Sequence, residues 1–241
     1  MMGRTHAVCG AALYLAAQPA MNAIGVVPTE PTTLAVGIIA AAGAALLPDL
    51  DSPHATVTHS LGIVTKVLTS FITKLAGGHR NGTHSLIGVA CFTAFSILMA
   101  LHPISSAIYA GLLLAMGLAS LRIAYKKVTW HHTLTVMAAV IAIVTATTID
   151  IPISLSVIPV ATAVGVIAHL IGDMMTKEGC PLLYPFSKKR FRFLGLTTGG
   201  AWETVVTWVL VLVIVLLCGW QAGVLPAMGK LDWAWLIELL R

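Results

Sequence analysis

Long apolar runs broken by short polar stretches set the pattern of this chain. A helix that crosses a bilayer needs about 20 mostly apolar residues. Runs near that length occur at 7–27, 32–48, 85–101, 104–121, 133–151, 152–172 and 203–225. They predict an all-α fold, a polytopic membrane helix bundle of about seven transmembrane helices, with six as the alternative. Pro103, Pro152 and the Pro28/Pro31 pair mark turns between neighbouring runs. Segment 61–76 carries Lys66 and Lys74 with apolar residues between them, the pattern of an interfacial amphipathic helix. The tail, 226–241, with Trp233 and Trp235, predicts a second interfacial element.

Composition strengthens this reading. Only 10% of the 241 residues are charged and 58% are hydrophobic, whereas a soluble domain carries about 25% charged residues. Mean hydropathy is +0.93. So little charge cannot cover a water-facing surface, and no polar stretch is long enough for a separate soluble domain. Residues 1–241 therefore form a single integral-membrane domain. A first helix that begins with Arg4 and His6 resembles a signal peptide. The spans that follow it, and His6 at its start, predict that it is retained.

The net charge of +5 would suit nucleic acid, but its distribution follows membrane topology, and no nucleic-acid partner is expected. If the seven runs alternate, the N-terminus, 49–84, 122–132 and 173–202 share one face. That face holds Arg4, Lys66, Lys74, Arg80, Arg122, Lys126, Lys127, Lys177, Lys188, Lys189, Arg190 and Arg192; Lys230 and Arg241 fall in the tail opposite. Short loops rich in Lys and Arg stay cytoplasmic, so the N-terminus is expected inside. Cys9, Cys91, Cys180 and Cys218 form no CxxC pair and read as small hydrophobes.

The candidate chemistry lies on that same face. His6 opens the first run, Asp49 and Asp51 (LLPDLDSP) close the second, His84 (HRNGTHS) opens the third, and His169 and Asp173 (AHLIGD) close the sixth. Ligands from four spans thus converge in one shallow layer formed by segments 49–84 and 173–202. His169 and Asp173, four apart, project from one helix face. Imidazole with carboxylate suits zinc, with manganese or iron as alternatives. His6, Asp51, His84, His169 and Asp173 are the candidate metal ligands for one or two ions, with Asp49 open as a ligand in place of Asp51. Asn81-Gly82 predicts a turn, Thr83 a helix cap, and Arg80 a holder of phosphate. Asp49 and Glu203 are candidate proton acceptors, and Glu203 is also a candidate ligand. The basic and aromatic cluster at 188–193 suits an anionic headgroup surface. His54, His59, His102, His131 and His132 are left outside the site.

His6, PDLDSP at 48–53, HRNGTHS at 79–85, His169-x-x-x-Asp173 with Thr176 and Gly179, LLYPF at 182–186 and Glu203 together resemble the YdjM-type inner-membrane metal-dependent hydrolases of bacteria. More distantly, the order of ligands is similar to zinc-dependent phospholipase C and the P1-type nucleases. That likeness implies one metal on Asp51 or Asp49, His84 and His169, a bridging Asp173, and His6 toward a second ion. The chain lacks an obvious second His-x-x-x-Glu pair after Asp173, so a third ion is not expected. The expected function is hydrolysis of a phosphate ester in a membrane lipid or lipid-linked substrate at the cytoplasmic leaflet of the bacterial inner membrane. The alternative is a metal-ion transporter or metal-binding membrane protein without hydrolase activity.

Overall fold

Small side chains set the spacing of the central helices. The computed structural model describes residues 1–28, 30–52, 63–120 and 154–221, and among these it contains α-helices, short 3-10 turns and no strand. The helices are α1 (Gly3–Ala23), α2 (Pro31–Ala44), α3 (Ile63–Leu75), α4 (Leu86–Ala100), α5 (Pro103–Ser120), α6 (Val157–Met174) and α7 (Ala201–Gln221). Run 133–151, the tail 226–241 and His54, His59, His131 and His132 lie outside the described residues.

Helix α2 is the hub, packed against α1, α5 and α6. The buried stretch from Ala40 to its C-cap Ala45 consists of alanine and glycine. Neighbouring helices meet it with glycine: a methyl group at Gly10 of α1 or at Gly165 of α6 would collide with the Ala41 carbonyl. Helix backbones brought this close gain van der Waals contact without needing large side chains, as membrane helix interfaces require. Tyr14, Leu113, Ile158 and Val166 fill the space around this crossing.

Three described helical segments are long and apolar enough to cross a membrane: Pro31–Asp51, Val157–Met174 and Ala201–Gln221. Leu86–Ala100 and Pro103–Leu118 are shorter apolar helices. Helix α1 is as long as a span, but Arg4, His6, Gln18 and Asn22 lower its hydropathy, and it buries Thr5, His6 and Gln18 against its neighbours. Helix α7 is the opposite case. It packs mainly on α1 and turns Trp202, Trp208, Leu212 and Leu216 outward, as a lipid-facing helix does. On α3, Val67, Phe71 and Leu75 form an exposed apolar stripe at four-residue spacing, the amphipathic face expected of segment 61–76.

Two connections matter for the site. Helix α2 runs on through a 3-10 turn, Pro48–Asp51, and Gly82–His84 forms another just before α4. Ser85, not Thr83, caps α4: its Oγ accepts from the Gly88 N–H at 3.2 Å. Thr83 is drawn away because its hydroxyl faces the buried Asp51. After α6, residues 176–196 fold back on the helix end, with Cys180 and Phe191 exchanging backbone hydrogen bonds of 3.0 and 2.8 Å. The Leu86 N–H donates to the Leu182 carbonyl at 2.9 Å, which ties this loop to the start of α4.

Candidate metal centre

Asp51 organises the turn that carries His84. It is fully buried, and both of its oxygens are committed. Oδ1 accepts from His79 Nδ1 at 2.6 Å, while Oδ2 accepts from the Arg80 backbone N–H at 2.9 Å and from the Thr83 hydroxyl. Arg80 sits at φ 58°, a left-handed conformation that costs a non-glycine residue energy; the bond to Asp51 helps hold it there. Because the Thr83 hydroxyl donates to Asp51, its oxygen is free to accept from His84 Nδ1, 2.9 Å away. This chain of two bonds leaves His84 Nε2 directed at the centre.

His169 is oriented in the same sense by another device. Its Nδ1 donates to the Ala45 carbonyl at 2.7 Å. That bond requires α6 to lie close on α2, which Gly165, one turn earlier, permits. The second nitrogen of a metal-binding histidine is commonly tied to a carbonyl or carboxylate in this way, which fixes the tautomer and the ring.

The two Nε2 atoms then lie 3.1 Å apart. Asp173 Oδ2, buried and without a hydrogen-bond partner, is 3.6 Å from His84 Nε2 and 3.7 Å from His169 Nε2. Asp49 Oδ1 lies 3.7 and 3.9 Å from the same two nitrogens. Two imidazole nitrogens this close, beside two carboxylates, share a cation between them, a proton or a metal ion. A tetrahedral site with zinc–ligand bonds near 2.0–2.1 Å places its ligand atoms about 3.3 Å from one another. The donor set therefore fits a divalent metal in both chemistry and spacing.

A second grouping lies against the first. His6 stacks on His169, with ring centroids 3.8 Å apart, and neither of its ring nitrogens makes a hydrogen bond. His6, Asp49 and His169 offer ligand atoms within 4.8 Å of one another, as do His84, His169 and Asp173. The Asp173 carboxylate joins the two halves. Its Oδ1 accepts from the Met1 amino group at 2.6 Å and lies 3.3 Å from His6 Nε2.

Arg80 stands at the rim. Nη2 is 3.4 Å from Asp173 Oδ2, and Nη1 donates to Glu178, a residue whose side chain is 64% exposed. His79 is half-exposed on the same turn. Glu203 is set apart: Oε1 accepts from the Met2 N–H and Oε2 from the Gly199 N–H, each at 2.6 Å. It ties α7 and its preceding loop to the start of α1. His102 belongs to the connection between α4 and α5, where its Nδ1 accepts from the Ile104 N–H at 3.3 Å.

His84 lies in the turn before α4, and its acidity follows from this setting. Burial alone would lower the pKa of the imidazole. The carboxylates of Asp49 and Asp51, with Asp173 beyond them, outweigh burial and raise it to about 9. Without a metal, a proton on His84 supplies the cation the cluster needs.

The sequence brought His6, Asp49, Asp51, His84, His169, Asp173 and Arg80 to one place, and the structure gathers them there. Thr83 was legible only as a cap, and His79 had no signal beyond its place next to Arg80. The Ala45 carbonyl, a backbone group, had none.

A family model described as YdjM inner membrane protein matches residues 1–123 and 120–237. No curated protein and no solved structure matches the chain.

Proposed function

Because the chain belongs to the YdjM inner membrane protein family and gathers a buried His/Asp cluster, we propose that it is a membrane-embedded metal-dependent hydrolase. Its substrate on this reading is a phosphate ester in a lipid or lipid-linked molecule, reached from the cytoplasmic leaflet. The observation that carries the proposal is the facing pair of Nε2 atoms on His84 and His169, with the buried Asp173 Oδ2, which accepts no hydrogen bond, beside them. Zinc is the preferred ion, with manganese or iron as alternatives. A phosphate ester is our choice of substrate class because the order of the His and Asp residues along the sequence resembles that of zinc-dependent phospholipase C and the P1-type nucleases.

His84, His169, Asp173 and Asp49 would hold one ion, and His6, stacked on His169, would contribute to a second. Bound there, the metal lowers the pKa of a water and polarises a phosphoryl oxygen. The protein's own groups do the rest. Asp51 acts on His84 through Thr83 rather than facing the Nε2 pair itself. Asp49, whose side chain is 21% exposed, would connect the ion to solvent. Arg80 presents its guanidinium at the rim, where it can hold a phosphate oxygen once Glu178 is displaced. Glu203 supports the site through Met2 and the start of α1.

The alternative, a metal-ion transporter, needs ionisable groups along the depth of the bundle. Among the described residues the deeper polar groups Ser96, Tyr109 and Thr162 are uncharged and bonded to one another. That arrangement favours a site at one face over a path across.

The test is metal content of the detergent-purified protein beside a His169→Ala/Asp173→Ala variant, followed by hydrolysis assays on phospholipids of defined headgroup. About one or two equivalents of metal, lost in the variant, together with hydrolysis that disappears with them, would support the reading. Protein that takes up no zinc, manganese or iron on reconstitution would end it. Bound metal that crosses vesicle membranes without any hydrolysis would favour the transporter.

A further inference from the structure

An apolar groove of about 490 Å³ runs between α4 and α6, a volume typical of small-molecule sites. We propose that it seats one hydrocarbon chain of a phospholipid whose phosphate reaches the His/Asp cluster. The inference rests on the hydrolase reading and names a subsite for its substrate.

One end of the groove lies at the level of the cluster. Leu86 lies two residues beyond His84, and Met174 directly follows Asp173; both line it. From there the lining follows one face of α4 through Ala90 and Ala94 to Ile97. Leu86 to Ile97 is a helical rise of about 16 Å at ~1.5 Å per residue, close to one leaflet of a hydrocarbon core about 30 Å thick. A chain lying along it would therefore span its own leaflet with its polar end at the level of the metal ligands.

The shape of this face distinguishes it from ordinary lipid contact. Two of its exposed lining positions on α4 are the small Ala90 and Ala94, between the larger Leu86 and Ile97, with Ile171 exposed on α6. On α7 the exposed positions are filled by bulky side chains, among them Trp202, Trp208 and Leu212. Among the described residues that line the groove, Thr93 is the one with a polar side chain, so the lining suits hydrocarbon. Arg80, in the turn before α4, contacts Asp173, the residue before Met174, so a cationic group stands at the level of the phosphate of such a lipid.

The experiment uses the full chain in vesicles of phosphatidylethanolamine and phosphatidylglycerol, doped with phosphatidylglycerol bearing a diazirine on one acyl chain. After irradiation, labelled peptides are mapped by mass spectrometry, and metal content is measured on the same preparations. The groove predicts labelling of Val89–Ile97 and Ile167–Met174 on the order of tenfold above the Trp202–Leu216 face of α7. Ala94→Trp, which fills the trough, should remove that excess and keep wild-type metal content. Ala90→Phe, one turn higher, gives the same readout if Ala94→Trp does not fold. Equal labelling of the groove and the α7 face would overturn the proposal, as would crosslinks from α4 to a second copy of the chain in place of lipid. Groove labelling on a protein that binds no metal would keep the subsite and remove the hydrolase. Metal binding with uniform labelling would do the reverse.

Discussion

His84 and His169 face each other Nε2 to Nε2 at 3.1 Å, each with its other ring nitrogen already engaged, one by Thr83 and one by the Ala45 carbonyl. Neither ring can turn away without breaking the bond behind it. The pair is held ready for a cation by groups that do not touch one.

Thr83→Val tests how much of that readiness comes from the hydroxyl. The substitution keeps the shape and removes the link from Asp51 to His84. Loss of such an outer partner typically weakens metal binding about 10–100-fold. Zinc affinity measured by chelator competition should fall within that range, with helical content unchanged. An unaltered affinity would mean that the His84 ring is held by something else.

Metal binding should depend on pH in a stated direction. His84 without metal keeps its proton up to about pH 9, and a ligand nitrogen must give it up. Below pH 9, each unit of added acidity should therefore weaken apparent affinity about tenfold, and binding at pH 7 should release one proton from this residue. Competition assays at pH 7 and 8 would detect the difference. Equal affinities would show that His84 is already neutral in the metal-free protein.

Gly165→Ala reaches the site from a distance. The added methyl collides with the Ala41 carbonyl and forces α6 away from α2, stretching the bond between His169 and Ala45. Overpacking of this kind costs about 1–3 kcal/mol, so thermal unfolding in detergent should shift down and metal occupancy should fall with it. A loss of stability with full metal occupancy would separate the packing from the site.

Glu178→Gln should uncover the rim. Glu178 is largely exposed, so its pair with Arg80 contributes at most about 1 kcal/mol. Removing its charge should leave stability unchanged and strengthen inhibition by inorganic phosphate several-fold. Arg80→Lys should weaken phosphate binding, because a lysine cannot reproduce the planar fork. If neither variant alters phosphate inhibition, Arg80 does not hold the anion.

The sequence made the membership of the site readable because its residues sit at helix ends, where hydropathy changes sharply and the i, i+4 spacing of His169 and Asp173 is informative. The division of labour between Asp49 and Asp51 was not readable. In a 3-10 turn successive residues are about 120° apart, so neighbours two positions apart point in different directions. Asp49 meets the Nε2 pair and Asp51 meets the turn at 79–84. The capping of α4 by Ser85 was hidden for a related reason, since Thr83 has the right chemistry for a cap but a stronger claim from Asp51. The inward packing of α1 could be anticipated from His6 and Gln18, whereas its contact through Gly10 with the Ala41 carbonyl could not.

The glycine contacts on α2 have one more consequence. Where helices are separated by long side chains, rotamer changes let them shift; where carbonyl meets glycine, there is nothing to rotate. The distance between His169 on α6 and Asp49 just beyond α2 is therefore limited by backbone contact, and the cluster acts as a gauge of ionic radius. Ions that bind near 2.0–2.1 Å, as zinc does, match its spacing. Calcium, with oxygen ligands at roughly 2.3–2.6 Å and a need for six or more of them, would have to push apart two helices already in contact.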